Sequence, residues 1–240
     1  MKTSKQTVHL VDFMGSDLAV VNAARVSFAK ESEWVVTPVG NEESWEVVAS
    51  LSAQDQKLIN YLAKHSHWSP FAHNSLTFRI KAPIFVARQL VKHQVGGVWN
   101  EVSRRYVDDE PEFYFPEVWR GKPVNAKQGS SEVVLKGDWD HLWIANYDGY
   151  NLLDHEEIVE LSLRWYNNAI KQGVAPEQAR MILPQNTMTE WWWTGSLMFF
   201  ARVCKQRLDQ HAQAETREVA QMVADSIPQE FTHSWKALMQ

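Results

Sequence analysis

The run Leu76-Thr77-Phe78-Arg79-Ile80-Lys81-Ala82-Pro83-Ile84-Phe85-Val86-Ala87-Arg88-Gln89-Leu90-Val91-Lys92-His93 contains a change of hydrophobic period that decides the architecture. From Leu76 to Lys81 apolar and polar residues alternate, the pattern of a strand with one buried face. Pro83 then suits the first position of a helix, where its missing N–H costs nothing. In that helix Arg88 and Lys92 lie four apart, as do Gln89 and His93, so both pairs would share a donor-rich face near its C-terminal end. Gly96-Gly97 breaks the helix, and Trp99 to Val107 resumes as loop or strand.

On the N-terminal side, Val8 to Val11 reads as a short strand. Ser16-Asp17 caps a helix carrying Leu18, Val21 and Ala24 to about Val26. Ser52 with Asp55 makes a capping-box pattern for a helix ending near Lys64. Residues 28–50 show no period, hold Pro38 and Gly40, and read as an irregular excursion with a strand fragment at Trp34 to Val36.

On the C-terminal side, Phe113-Tyr114-Phe115 is a short aromatic strand, and residues 117–137 read as a loop. Asp154, with Glu157 three residues later, caps a helix whose apolar positions are Ile158, Leu161, Trp165 and Ala169, stopped at Gly173. Pro176 opens a short helix carrying Arg180, which stops before Pro184. Thr187 to Thr194 is a strand, Gly195-Ser196 starts a helix to about Gln206, and Gln210 to Ser226 is helical until Pro228. No repeat and no linker divides the chain.

With 240 residues, 45% of them apolar, the chain can bury a substantial core. A formal net charge of -5 speaks against a nucleic-acid backbone as the main partner. One cysteine, Cys204, rules out an internal disulfide framework and suits the reducing cytoplasm. No apolar run approaches the roughly 20 residues that span a bilayer, so neither a membrane segment nor a signal peptide is expected.

Chemistry concentrates between Arg88 and Tyr106. One reading is a solvated, inert helix end followed by a turn. Its content argues for more, because Arg88, Lys92, His93, Arg104 and Arg105 surround Asn100, Glu101 and Ser103. Guanidinium forks, backbone N–H groups and a serine are what a phosphate and a uracil-like ring require.

These residues resemble the flavin-dependent thymidylate synthases, whose motif is written RHRxxSxNExSxRY. Asn100-Glu101-Val102-Ser103-Arg104-Arg105-Tyr106 matches the second half in full. Asn22 to Phe28, Lys64 to Phe71, Lys81 to Gln89, Ala179 to Pro184 and Arg207 to Glu215 also look like family segments. Two departures stand out. Lys92 and Gln94 replace the two motif arginines, and the Gly96-Gly97-Val98-Trp99 turn carries one extra residue and lacks the motif's first serine. Lys92 keeps the charge without the planar fork, and Gln94 loses the charge.

The resemblance implies an α/β (α+β) fold of antiparallel sheet with long helices, one domain over 1–240 with irregular excursions near 29–51 and 117–150. It implies reductive methylation of dUMP, with methylenetetrahydrofolate as carbon donor, FAD as hydride carrier and NADPH as its reductant. It also implies a homotetramer with shared sites. Arg207 would be the catalytic cation activating the pyrimidine. Gln89, Lys92, Glu101, Ser103, Arg104, Arg105, Arg180 and Arg207 would bind dUMP, with the backbone near Glu101 to Arg105 wrapping its phosphate. FAD would face Ser27, His67, Ser69, Lys92, His93, Gln94 and Glu101, with Ser196 and Arg202 at positions where the family usually has asparagines.

Three features have structural readings beside functional ones. Cys204 in an apolar helix reads as packing rather than as a thiolate nucleophile. His65, His67 and His73 could begin a zinc site, but no fourth ligand is evident and no metal is expected. Trp191-Trp192-Trp193 could stack nucleobases, yet on a strand at least one face would be core or subunit interface. The alternative to the enzyme is a non-catalytic nucleotide or single-stranded nucleic-acid-binding module.

Overall fold

Leu76, Phe78 and Ile80 are fully buried, and they turn the central strand's apolar face onto a layer of helices. The computed structural model describes residues 1–41, 44–124, 129–131, 133–135, 140–146 and 149–240. The first half contains β1 (Lys2–Thr3), β2 (Thr7–Met14), α1 (Asp17–Arg25), β3 (Val35–Asn41), β4 (Ser44–Ser50), α2 (Ala53–Lys64), β5 (Ser75–Pro83), α3 (Ile84–Leu90), β6 (Gly97–Glu101) and β7 (Glu112–Phe113). The second contains β8 (Leu142–Asn146), β9 (Gly149–Leu153), α4 (His155–Lys171), α5 (Pro176–Ala179), β10 (Met188–Gly195), α6 (Leu197–Arg207), α7 (Ala214–Asp225) and α8 (Thr232–Met239).

The main sheet has the order β2-β5-β10-β6, with every neighbouring pair antiparallel. This is the expected mixture of antiparallel sheet and long helices. Trp191 and Trp193 join the core while Trp192 is half-exposed, as alternation on a strand requires. Trp99 stacks on Trp191 at 4.3 Å, which ties the short β6 to the longer β10. The opposite sheet face carries Thr77, bonded to Thr194 at 3.0 Å, and Arg79, paired with Glu190.

Capping chemistry places several boundaries. The Ser16 side chain accepts from Ala19 N–H, and Asp154 with Glu157 forms a reciprocal capping box. Ser52 accepts from Asp55 N–H, but the Asp55 carboxylate takes the Ser52 hydroxyl at 2.7 Å rather than reaching back to the backbone. Asp55 also receives Arg25 and Ser32. Burial raises its pKa, but the Ser52, Arg25 and Ser32 bonds together hold it below the usual carboxylate value. This cluster joins α1 to α2 and fixes the following turn, Val26–Phe28, which contains Ser27.

Several expectations are corrected. Residues 28–50 are not mainly irregular, since β3 and β4 pair as an antiparallel hairpin. The same is true of β8 and β9 within the second excursion; residues 42–43, 125–128, 132, 136–139 and 147–148 lie outside the described residues. Two-stranded hairpins that pair with no other strand need not alternate apolar and polar residues. Pro83 ends β5 and caps α3 instead of opening it. The α4 face is also different: Val159, Leu163, Tyr166 and Ala169 are buried, while Ile158, Leu161 and Trp165 are exposed. Two stripes on that helix satisfy the helical period, and only packing against Phe113 and Ala179 selects between them. The terminal helix α8 follows Pro228, and its residues His233 and Ser234 donate backbone N–H groups to buried Asp17, both at 2.8 Å.

Candidate active site

α3 ends at Leu90, so Lys92 and His93 do not share a helical face with Arg88 and Gln89. Residues 91–96 form a turn, and the turn directs His93 toward α6. There Arg207 Nε donates to His93 Nε2 at 2.9 Å, and Arg207 Nη2 donates to the Gln89 carbonyl at 3.1 Å. The neighbouring guanidinium requires a neutral imidazole with its proton on Nδ1. Burial, followed by the charges of Arg207 and Arg202, holds the His93 pKa down to about 4. Burial also lowers the Arg207 pKa, but a guanidinium remains charged.

The Gln89 side chain is fixed from α7. Its Oε1 accepts from the fully buried Thr216 hydroxyl at 3.1 Å, and its Nε2 donates to Gln213 Oε1. Gln213 is the N-cap residue of α7. The network therefore joins residues from α3, α6, α7 and the 91–96 turn. Gln213 and Thr216 had no assigned role in the sequence, because their helical spacing reads only as amphipathic.

A second group lies where β6 runs into the 102–107 segment, with Glu101 paired to Trp191 in register. Glu101, Arg104 and Arg180 line a cavity of about 460 Å³ that also includes Arg79, Lys81 and Thr189. Thr189 donates to Glu101 Oε1 at 2.7 Å, and Arg104 Nη1 donates to the Asp109 carbonyl at 2.9 Å. Ser103 Oγ accepts from Arg105 N–H at 3.3 Å and Nε at 3.2 Å, and the Arg105 guanidinium lies over Tyr106. Arg180 follows α5 on a short turn and donates to Glu177 O at 3.3 Å. No hydrogen bond among the described residues joins Ser103, Arg105 or Arg180 to Arg207.

A third group surrounds a cavity of about 880 Å³ between the 66–75 segment and α6. Ser196 and Arg202 line it with Trp68, Phe199 and Lys205. Arg202 donates to the Val95 carbonyl, so it stands against the same turn that carries Lys92 and Gln94. His67 and Ser69 are exposed neighbours of Trp68, and Ser27 lies beyond α1; neither Ser27, His67 nor Ser69 lines this cavity. His65 and His67 instead pack around Tyr61, with ring centroids 4.4 and 5.8 Å from it.

The only thiol is in no position to attack a substrate. Cys204 is fully buried, donates weakly to Ala220 O at 3.5 Å, and is pushed up to about 12 by burial with a further contribution from Asp225.

Residues 9–231 match the family described as thymidylate synthase complementing protein. A flavin-dependent thymidylate synthase of Kosmotoga olearia is 36% identical over 98% of this chain and 90% of that protein. One from Thermosipho africanus is 34% identical over 98% and 91%, respectively. The chain belongs to the flavin-dependent thymidylate synthase family. Among solved structures, a UMP/dUMP methylase PolB from Streptomyces cacaoi bound with 5-Br dUMP superposes with a TM-score of 0.71, at 27% identity over 99% of this chain and 96% of that one.

The third cavity fits a flavin. Trp68 and Phe199 offer apolar ring surfaces, while Arg202 and Lys205 offer cations one turn apart on α6. Asn74, 5% exposed, also lines it; its Oδ1 caps α6 through Leu197 N–H at 2.7 Å, and its Nδ2 has no partner among the described residues. A buried amide donor without an acceptor is costly, and a flavin oxygen or phosphate would satisfy it.

Proposed function

We propose that this chain converts dUMP to dTMP, with methylenetetrahydrofolate as carbon donor and with NADPH reducing a bound FAD. The observation that carries the reading is the preformed Arg207 cation, held by His93 and Gln89, in a chain whose single cysteine is sealed in the core. Without a thiolate to attack the ring, charge developing on the pyrimidine must be stabilised electrostatically. A fixed guanidinium does this without reorganising during the reaction.

Arg207 uses Nε and Nη2 within the protein, and its Nη1 takes part in neither bond. That edge faces the pyrimidine carbonyl, while Gln89, locked by Thr216 and Gln213, orients the nucleotide. Ser103, Arg104 and Arg105, with Lys92, Glu101 and Arg180, hold the phosphate and sugar through charge-assisted bonds. FAD would be held by Asn74, Ser196, Arg202 and Lys205 beside the turn that carries His93 and Gln94; Ser27, His67 and Ser69, which do not line this cavity, would reach it from another subunit. When bound, FAD supplies the hydride for the transferred carbon.

Arg207 is bonded to His93 and Gln89, whereas Ser103, Arg104 and Arg105 are bonded within their own segment, and no hydrogen bond among the described residues joins the two groups. We therefore propose a homotetramer in which each site combines residues of different subunits. The proposed setting is the cytoplasm; among the described residues no helix is long and apolar enough to cross a membrane. The test is direct: purified protein should show flavin absorption and release tritium from C5 of dUMP when NADPH and methylenetetrahydrofolate are supplied. A colourless protein that neither takes up FAD nor turns over dUMP overturns the reading in favour of a non-catalytic nucleotide-binding module.

A further inference from the structure

Arg120 belongs to the second excursion, outside every segment that resembles the family, yet its side chain ends at the start of α7. The Gly121 amide donates to Val133 O and the Leu135 amide to Trp119 O, both at 2.8 Å, with Arg120 bridged to Val134 between them. This small antiparallel ladder fixes the direction of the Arg120 side chain. Nε donates to Ser130 Oγ at 2.9 Å, and Nη2 donates to Glu215 Oε1. The same excursion meets the C-terminal part a second time. Gly129, at φ 81°, comes so close to His211 that a Cβ there would stand 3.2 Å from the His211 carbonyl oxygen.

Both contacts land on the stretch that links Arg207 to α7. Glu215 lies between Gln213 and Thr216, the two residues that hold the Gln89 amide. Its side chain is only 7% exposed, and Oε2 has no hydrogen-bond partner among the described residues, so Arg120 is the charge that compensates the buried carboxylate. The Glu215 carbonyl is held from the N-terminal segment, where buried Gln6 Nε2 donates to it at 3.2 Å and to Glu218 Oε2 at 2.7 Å. Gln6 thus anchors the backbone of the first turn of α7, and Arg120 anchors its side chain. An amide bonded through both its oxygen and its nitrogen, as Gln89 is, keeps one orientation only while the two partners keep their spacing. That spacing is set by the turn that Arg120 and Gln6 hold.

We propose that Arg120 is a positioning residue: by pinning Glu215 it keeps Gln213 and Thr216 in register with Gln89, and so keeps the Gln89 amide aimed at the nucleotide. The role of Gln89 toward a nucleotide rests on the function proposed above; the brace on α7 rests on the Arg120–Glu215 and Gly129–His211 contacts.

Arg120→Met keeps the stem and removes the charge. It should lower kcat about fivefold with little change in KM for dUMP, the split expected when an orienting group rather than the phosphate-binding turn is disturbed. Arg120→Lys should recover most of that loss, since the pair with Glu215 uses a single guanidinium nitrogen. In a Thr216→Val background Arg120→Met should cost less than about twofold, because both substitutions release the same amide. Leu163→Ala, which opens the core under α4, measures what lost stability alone does and should leave kcat unchanged. If the uncompensated carboxylate unfolds Arg120→Met, the double variant Arg120→Met/Glu215→Gln lacks the tether without the buried charge and carries the same prediction. Proton exchange at the Gln89 side-chain amide, followed by NMR, reads the brace without turnover and should be faster in Arg120→Met. A folded variant with wild-type kcat, or an equal loss in both backgrounds, overturns the inference. Faster amide exchange in a protein that does not turn over dUMP upholds the brace and sinks only the proposed function; unchanged exchange sinks the brace itself.

Discussion

The Arg207 network and the Glu101–Tyr106 turn are both rich in donors but are built in opposite ways. Around Arg207, partners come from distant parts of the chain: His93, the Gln89 carbonyl, and through the Gln89 side chain Gln213 and Thr216. Along the turn, Ser103 is bonded by Arg105 and Arg104 reaches Asp109, both within a few residues, and only Glu101, at the end of β6, takes a distant donor, Thr189. A network closed over distant elements fixes a charge before substrate arrives. A locally held, solvent-facing turn can adjust to a phosphate, and it provides affinity more than rate.

The largest effect that could break this contrast is at Arg207. Arg207→Ala should lower kcat roughly 10²- to 10³-fold, the usual consequence of removing one preorganised electrostatic group. Flavin absorption and thermal unfolding should stay close to wild type; a kcat near the wild-type value would remove Arg207 from the chemistry. Thr216→Val sharpens the contrast at a smaller scale. Leaving the Gln89 side-chain Oε1 without its Thr216 donor costs about 1 kcal/mol, so kcat should fall about fivefold. Ser103→Ala, on the adjustable turn, should mainly raise KM for dUMP, and steady-state kinetics of the two variants separates the roles.

The smallest effect concerns protonation. His93 is held neutral in the folded protein, with its pKa down from 6.5 to about 4. As pH falls through that window the unfolded chain binds the proton first, so His93 contributes no pH dependence above it and a loss of stability within it. NMR titration should place the imidazole transition near 4, and His93→Gln should show a shallower decline of unfolding free energy between pH 6.5 and 4. A transition at the ordinary histidine value would mean that the Arg207 contact does not form in solution.

Legibility in the sequence ran against structural order. The exposed turn was the clearest part, because Asn100 to Tyr106 is contiguous and each residue's chemistry can be named. The strand of Leu76, Phe78 and Ile80 and the Ser16 and Asp154 caps are equally legible, since strand period and capping are local properties; that the tryptophan strand buries a face is legible too, but not that Trp191 and Trp193 form it. Gln213 and Thr216 were not, because their importance arises only when α7 packs against α3. The α4 face and the β3–β4 and β8–β9 hairpins escape for related reasons: one helix offers two apolar stripes, and the hairpins pair with no strand of the main sheet. Lys92 and Gln94 were recognised as departures, but their sequence alone did not reveal that Arg202 stands against the same turn.

The central claim is that a fixed cation, and no thiolate, activates the pyrimidine. Its most direct test is tritium release from C5 of dUMP by Cys204→Ser, with flavin content measured on the same sample. The account predicts release close to the wild-type rate. A folded, flavin-loaded Cys204→Ser protein that releases no tritium would contradict it.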